Sequence, residues 1–371
     1  MPDRSIPRKS GCLLALAVLL QGAGMSTRAA SAPADRDAAG RASIQVRSDR
    51  LTLRVAKAPQ VYLSGPIGPD ALRQVDGMLR SGRIPRGSDV YLDSSAGDVP
   101  SGLALGRLFR SAGLNTHVGL WRKPTRSVVP ARPAVCLDAC AYAYLGGVYR
   151  WAPSGSDRIG LHASLLPGPQ GASGPAQPAS PAALRDYLVE MDVRPDYFAH
   201  VLGPAENGVV WWKPEEMAPW LVANNGRQPL AASYQPGPAP QLTLSQTVRG
   251  GRNRIALRCA PGGVTLTAYY TVGYEHARQL ASQARAAYFE VERQPWQPQP
   301  GERPHAEGDA LTFARPLPFA ELNRVLRTVS LGAWVETAAG RVRYGFLVAP
   351  AAAWEGTRAF YADCRALQGR R

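Results

Sequence analysis

The chain has 371 residues, of which 45% are hydrophobic and 19% charged, which suits a globular protein with two domains and sizeable cores. Its formal net charge of +15 is carried almost entirely by Arg, because Lys occurs only at positions 9, 57, 123 and 213. The basic residues are scattered, without a Lys/Arg block or an interleaved aromatic stripe, so the charge predicts a basic surface and no nucleic-acid partner.

The N-terminus has the layout of a secretory signal peptide. Basic residues precede a short apolar run at positions 12–20, and small residues suited to cleavage follow. We therefore assign residues 1–32 to a signal peptide and residues 33–54 to a flexible N-terminal segment. The run is short for a bilayer span, although an uncleaved anchor stays open as the alternative. A cleaved signal predicts a periplasmic or secreted protein with no membrane span in the mature chain.

Removal of a signal peptide leaves four cysteines in an oxidising compartment. Four cysteines allow three pairings, and we favour Cys136–Cys140 together with Cys259–Cys364. The first pair would staple the turn around Asp138, and the second would tie a strand to the last helix across a long loop. A zinc site is disfavoured because neither a second close pair nor a nearby His completes it, so no metal is predicted.

Strands and helices alternate along the first half of the chain. Apolar alternation predicts a strand at residues 61–68, and short strands are predicted at residues 115–120 and 158–164. Residues 88–98 predict a buried strand that runs into a small-residue turn. Helical spacing predicts helices at residues 71–82, 99–113 and 183–202, and a tightly packed helix followed by a strand within residues 138–151. This order predicts an α/β layered domain with a largely parallel sheet over residues 55–227.

Segments rich in Pro and Gly separate the remaining predicted elements of the first half of the chain. Residues 165–182 predict a mobile loop, and residues 211–224 predict a turn, a short helix and a closing strand. Residues 228–241 predict a Pro-rich linker that separates the two domains.

Residues 242–371 have a different pattern. Six stretches alternate with period two, and three helical stretches interrupt them, at residues 274–288, 318–329 and 351–367. This pattern predicts a smaller α+β domain, in which we find no catalytic constellation.

Three segments of the first domain belong together: YLDSSAGDVPSGLALGRLFRSAGL (91–114), CLDACAYAYLGG (136–147) and IGLH (159–162). In this order they resemble the Clp protease proteolytic subunit and crotonase superfamily, above all its exported Clp-like branch of predicted periplasmic proteins. In that branch the segments look like L-N-S-P-G-G-x-V-x-x-G-L-x-L-G, C-x-S-A-C and G-x-H. The resemblance covers about residues 55–225 and implies a Clp/crotonase-like (ββα-type) layered domain.

The chemistry that the resemblance implies is acyl transfer. A Ser at a helix N-terminus attacks a carbonyl, a His takes its proton, and an acid orients the His. Backbone N–H groups hold the oxyanion. The resemblance places Asp138 at the nucleophile position and His162 at the base position, and it places the oxyanion turn at Ala96, Gly97 and Ala139.

The sequence departs from this pattern at the catalytic positions. Asp138 stands where the family has Ser, and a carboxylate cannot replace a hydroxyl that loses its proton to His. Its charge would also repel the developing oxyanion. The family's S-P-G-G turn has become S-A-G-D at residues 95–98. The family acid should lie just before WWKPEEM, where only Glu206 and Asn207 are near.

Several interpretations of Asp138 stay open. It can be the N-cap of the helix that begins near Ala139, or the partner of His162 in an ion pair left from a lost triad. It can also be a general base, as acidic residues are in some crotonase-like enzymes, with Asp98 as the other candidate base; no feature indicates a coenzyme A partner.

The remaining histidines and the tryptophan pair receive structural assignments. We assign surface or structural roles to His117, His200, His276 and His305. For Trp211 and Trp212 we favour buried packing over the lining of a peptide groove.

These residues predict an exported, catalytically degenerate Clp-like protein that binds a peptide or protein partner or acts as a scaffold, without a cofactor. The alternative is a residual serine-type peptidase or esterase that uses His162 with Ser94, Ser95 or Ser101 as nucleophile. A third class is crotonase chemistry with an Asp base. The resemblance also implies a homo-oligomer.

Overall fold

The computed structural model describes residues 40–121, 132–165, 180–200, 205, 208–296, 303–338 and 342–369. The assigned signal peptide and most of the predicted loop at residues 165–182 lie outside these ranges. From Gly40 onward the chain is one compact unit of mixed α/β structure, with two separate hydrophobic cores. Among the described residues, no helix has the length and apolarity needed to cross a bilayer.

The strands of the first core are β1 (Ser43–Arg47), β2 (Gln60–Ser64), β3 (Asp89–Asp93), β4 (Asn115–Val118), β5 (Val135–Leu137), β6 (Arg158–His162) and β7 (Val209–Trp211). Its helices are α1 (Arg50–Ala56), α2 (Pro69–Arg80), α3 (Val99–Ser111), α4 (Ala139–Leu145), α5 (Pro181–Glu190), α6 (Tyr197–His200) and α7 (Pro214–Met217).

The strands of the second core are β8 (Ala231–Gln235), β9 (Gln241–Val248), β10 (Gly251–Ala260), β11 (Gly263–Thr271), β12 (Ala284–Val291), β13 (Gln294–Pro295), β14 (His305–Glu307), β15 (Ala310–Leu317), β16 (Leu331–Thr337) and β17 (Arg343–Val348). Its helices are α8 (Tyr274–Gln283), α9 (Phe319–Arg327) and α10 (Trp354–Gln368).

Two sheets frame the first core. One has the order β1-β2-β3-β4, in which β2, β3 and β4 run parallel and β1 is antiparallel. The other has the order β5-β6-β7, with a parallel and an antiparallel pair. Alternate residues of β2 and β3, including Val61, Leu63, Val90 and Leu92, are buried in the core, as expected for one face of a pleated strand.

Small residues let α3 and α4 pack at very short range. A Cβ added to Gly102 would lie 2.3 Å from the Ala139 carbonyl oxygen, and one added to Gly146 would lie 2.0 Å from the Gly106 carbonyl oxygen. Any larger residue would push the helices apart. This contact fixes α4 against the core from its first residue to its end.

Arg150 is a buried cation that ties several segments together. It is 2% exposed, and its guanidinium donates to five backbone carbonyls, those of Leu145, Gly147, Met191, Leu221 and Val222. Burial, followed by the charge of Arg110, lowers the pKa of Arg150 to about 10. The side chain therefore stays charged at neutral pH and supplies hydrogen bonds to these buried carbonyls.

The second core is built from antiparallel strands. Its sheets have the orders β14-β15-β11-β10-β9-β8 and β13-β12-β16-β17, and both contribute apolar side chains to one cluster, which includes Phe289, Phe313 and Phe360. Both predicted disulfides are present: Cys136–Cys140 joins β5 to α4, and Cys259–Cys364 joins β10 to α10.

The two cores meet at a buried carboxylate. Asp89 of β3 is 2% exposed and pairs with Arg249, which follows β9, at 2.9 Å. His117 of β4 lies 3.6 Å from the same carboxylate, and its ring stacks between Tyr91 and Trp151 with centroids 4.5 and 4.3 Å away.

Several sequence predictions differ from the structure. The N-terminal segment predicted to be flexible contains β1 and the start of α1, and the predicted linker contains the edge strand β8. The strand predicted before residue 151 is only an isolated bridge at Arg150, and residues 218–224 form no closing strand. Strands β1 and β8 form by antiparallel pairing with β2 and β9, which the local pattern of each segment does not report.

Candidate functional site

A sharp strand-to-helix turn places Asp138 at the head of α4. Strand β5 ends at Leu137 and α4 begins at Ala139, so Asp138 alone makes the turn. Its backbone has φ 52° and ψ −108°, outside the regions that L-residues ordinarily occupy. A strained residue between a strand and a helix is the geometry of a nucleophile elbow.

Two hydrogen bonds and a disulfide hold Asp138 in this conformation. Its N–H donates to the Gly160 carbonyl at 3.2 Å, and its carbonyl accepts the Tyr142 N–H at 3.0 Å. The Cys136–Cys140 disulfide brackets the turn. A backbone of this kind costs about 1–3 kcal/mol and persists only where neighbours hold it. The fold therefore maintains the elbow against strain.

The Asp138 carboxylate is directed at His162. One oxygen accepts the His162 backbone N–H at 2.8 Å, and the other lies 2.6 Å from Nδ1 of the ring. The Asp138 side chain is 19% exposed and that of His162 is 45% exposed. Asp138 occupies the N-cap position of α4, but its side chain makes no capping hydrogen bond. The N-cap interpretation therefore fails, and the ion-pair interpretation describes the contact.

This contact sets the tautomer that the imidazole has when it is neutral. Because a carboxylate only accepts hydrogen bonds, the proton of neutral His162 lies on Nδ1, which leaves Nε2 as an acceptor. A half-exposed imidazole backed by a carboxylate has the arrangement of a general base. Burial, and then the charge of Asp138, raises the pKa of nearby Tyr142, whose hydroxyl donates to the Leu165 carbonyl.

The predicted oxyanion turn lies beside the elbow. Ser94 forms an isolated parallel bridge with Cys136, its N–H donating to Val135 and its carbonyl accepting from Leu137. Gly97 has φ 140°, and a Cβ there would lie 2.2 Å from the Ile67 carbonyl oxygen. The structure thus brings the turn at Ala96 and Gly97 to the strand that leads into Asp138 and Ala139.

Other sequence candidates are less available for chemistry. Asp98 caps α3, its carboxylate accepting the Ser101 N–H at 2.7 Å, which is the role of a helix N-cap. Ser94 and Ser101 are buried, whereas Ser95 is exposed. Glu206 and Asn207, the nearest replacements for the family acid, lie outside the described residues.

The other histidines and Trp212 are either packed against neighbouring side chains or exposed at the surface. His117 is stacked in the core junction, His276 lies edge-on to Tyr344, and His305 is exposed. The side chain of His200 lies outside the described part of the chain. Trp212 is buried, as predicted, at 4% exposure.

Trp211, for which the sequence favours buried packing, is only partly buried and packs beside Gly160. It pairs with Gly160 across β6 and β7, and a Cβ on Gly160 would lie 3.1 Å from the indole. The Arg158 guanidinium lies 4.1 Å from the indole centroid, a cation–π contact. A Gly inside a strand often marks such a close approach, and Gly160 in IGLH was the available signal.

The sequence matches no family model and has no match among curated proteins.

Proposed function

We propose that this chain is an exported Clp-like protein that binds an extended peptide at a peptidase-type elbow and does not cleave it. The observation that carries the proposal is the engagement of both Asp138 carboxylate oxygens by His162. A carboxylate held in this way lacks a free oxygen for attack on a carbonyl.

The charge at the elbow also opposes hydrolysis. Asp138 occupies the position from which a nucleophile would attack, so its negative charge lies close to where an oxyanion would develop. Like charges at short range in a partly buried site destabilise the intermediate. The two hydrogen bonds with His162 support a role for Asp138 in holding the elbow.

The neighbouring backbone supports peptide binding. Residues 95–98 are exposed, while their other side is tied to Ile67 by main-chain hydrogen bonds. An extended peptide can add main-chain hydrogen bonds to an exposed segment of this kind. The Clp/crotonase layering, the periplasmic location and a homo-oligomeric state belong to the same proposal, and the two disulfides support an oxidising compartment.

The first experiment tests whether the elbow lacks only its nucleophile. Asp138→Ser places a hydroxyl at the turn beside His162 and should create hydrolysis of a p-nitrophenyl ester above the wild-type rate. Asp138→Asn is the matched control, since it removes the charge without adding a nucleophile. Adding His162→Ala to Asp138→Ser should abolish the gain; equal rates in all variants would contradict the proposal.

A second measurement tests binding directly. Anisotropy of fluorescein-labelled casein peptides should show saturable binding to the wild type without fragmentation. Ala96→Glu, which adds bulk and charge on the exposed segment, should weaken binding at least tenfold. Ser156→Glu, on an exposed turn elsewhere, is the control and should bind as the wild type does.

One observation favours a second candidate function. The half-exposed His162 ring with Nδ1 on a carboxylate is the base half of a triad, and exposed Ser95 is the most accessible of the three proposed hydroxyls. Wild-type peptide or ester cleavage that His162→Ala and Ser95→Ala both abolish would establish this residual hydrolase in place of a binding protein.

A further inference from the structure

An open cavity lies at the carboxyl ends of β2 and β3, lined by none of the residues of the Asp138–His162 pair. Its volume is about 170 Å³, and its lining includes Gln45, Tyr62, Ser64, Asp93, Trp121 and Arg132. The carboxyl ends of parallel strands are where α/β sheets commonly bind ligands.

Aromatic rings form two walls of the cavity. The Tyr62 ring stacks on Tyr91 with centroids 4.9 Å apart. Trp121 follows β4 at one edge of the sheet, yet Arg47 of β1, at the opposite edge, lies 4.9 Å from its ring centroid. The segment that carries Trp121 therefore crosses the sheet face, and both rings are held in place by packing.

Arg132 supplies cationic hydrogen-bond donors at the same cavity, with its charge paired to that of Asp93. Its guanidinium pairs with both oxygens of Asp93, a carboxylate that is 5% exposed and also accepts the Val135 N–H. With the Pro133 carbonyl, these contacts use three of the five N–H donors of Arg132. The Arg132 side chain is 65% exposed, so its remaining donors are accessible to an anion.

We propose that this cavity binds an aromatic carboxylate, with its ring between Tyr62 and Trp121 and its carboxylate on Arg132. The volume fits one ring, since an apolar protein cavity of about 150 Å³ holds a benzene molecule. Gln45 and Ser64 supply further hydrogen-bonding groups, and the formal charge of +15 favours an anion over a cation. A free aromatic acid and the C-terminal aromatic residue of a peptide share this chemistry.

Calorimetric titration of the full chain tests the proposal with N-acetyl-L-phenylalanine and its amide. The acid should bind saturably with one site, and the amide at least tenfold more weakly, because a bidentate charge-assisted contact is lost. Trp121→Leu and Arg132→Gln should each weaken binding of the acid at least tenfold. Trp211→Leu is the matched control, since Trp211 also carries an Arg over its ring, and it should leave the affinity unchanged.

Thermal melting of each variant separates lost binding from lost folding. Ser64→Leu is an independent variant that fills the cavity without removing a charge, and it should also weaken binding. A pentapeptide ending in phenylalanine distinguishes the sources: tighter binding than the acid indicates a peptide C-terminus, and equal or weaker binding indicates a small acid. Absence of saturable binding at millimolar acid, or equal affinities for acid and amide, would overturn the proposal. Because the Asp138–His162 pair takes no part, this result is independent of the proposed peptide site.

Discussion

The two cores differ in where their polar side chains lie. In the first core, parallel strands and helices alternate, and the strand ends deliver Asp93, Asp138 and His162 to neighbouring positions. In the second core, antiparallel strands place Glu290 with Arg343 and Tyr288 with Glu336 on a sheet face. The first arrangement includes a non-glycine residue at positive φ, Asp138, at the turn that leads into α4. The first core therefore gathers polar side chains at strand ends, whereas the second pairs them across neighbouring strands.

The two disulfides offer the largest test of this contrast. Replacing Cys259 and Cys364 by Ala opens a loop with a sequence separation of 105 residues, which should cost about 5 kcal/mol of unfolding free energy. The Cys136→Ala/Cys140→Ala variant opens a loop with a separation of only 4 residues and should cost about 2 kcal/mol. Denaturant unfolding measures both losses; an equal or larger loss for the short loop would contradict the comparison.

The glycine of the turn gives a second, smaller effect. Gly97→Ala forces a Cβ onto the Ile67 carbonyl and a residue into φ 140°, so it should destabilise the protein by about 3 kcal/mol. Gly77→Ala is the matched control, because a Cβ there meets nothing within 4 Å, and a helix-interior Ala should stabilise by about 0.5 kcal/mol. Urea unfolding measures both changes, and a Gly97→Ala variant as stable as the wild type would contradict the prediction.

The junction between the cores gives the smallest effect, and it depends on pH. Burial alone would raise the pKa of Asp89, but nearby His117, the charge of Arg249 and the Asn115 hydrogen bond together hold it below its ordinary value of 3.8. A carboxyl with a depressed pKa stabilises the fold above that ordinary value, and the contribution is lost as pH falls through the folded pKa. Asp89→Asn should therefore cost about 2 kcal/mol at pH 7 and progressively less below pH 4.

Unfolding free energies of wild type and Asp89→Asn, compared from pH 7 to pH 2.5, check this prediction. Asp76→Asn, which breaks an exposed pair with Arg80, is the control and should change stability by less than about 1 kcal/mol at neutral pH. A wild-type-to-Asp89→Asn difference that stays constant on acidification would show that Asp89 does not titrate as its contacts require.

Much of the fold follows from periodicity, and the exceptions have a common cause. Helices α3, α9 and α10 lie where the spacing of apolar residues predicts them. The predicted helix at residues 274–288 ends at Gln283, because Ala284–Val291 pairs with β16 and alternately buries Ala287, Phe289 and Val291. A segment rich in Ala favours a helix by intrinsic propensity, but sheet pairing across the chain overrides it.

The sequence predicts which residues meet at the candidate site better than it predicts how they are arranged. The order of the three segments led to Asp138 and His162, and the structure brings them into contact. The backbone strain at Asp138 and the direction of its carboxylate depend on Gly160, β6 and the α3–α4 contact. These long-range partners are not encoded in the local sequence around Asp138, where N-capping was the simpler expectation.

Arg150 also sets the order in which this region can be completed. Two of its five carbonyl partners, Leu221 and Val222, lie more than seventy residues downstream, while Leu145 terminates the helix that begins at the elbow. During synthesis the Arg150 guanidinium cannot make all five of its hydrogen bonds until Leu221 and Val222 have left the ribosome. A truncated chain that stops before residue 221 would retain every residue of the elbow and still lack the anchor behind it, so the smallest segment that can form the site extends past residue 222.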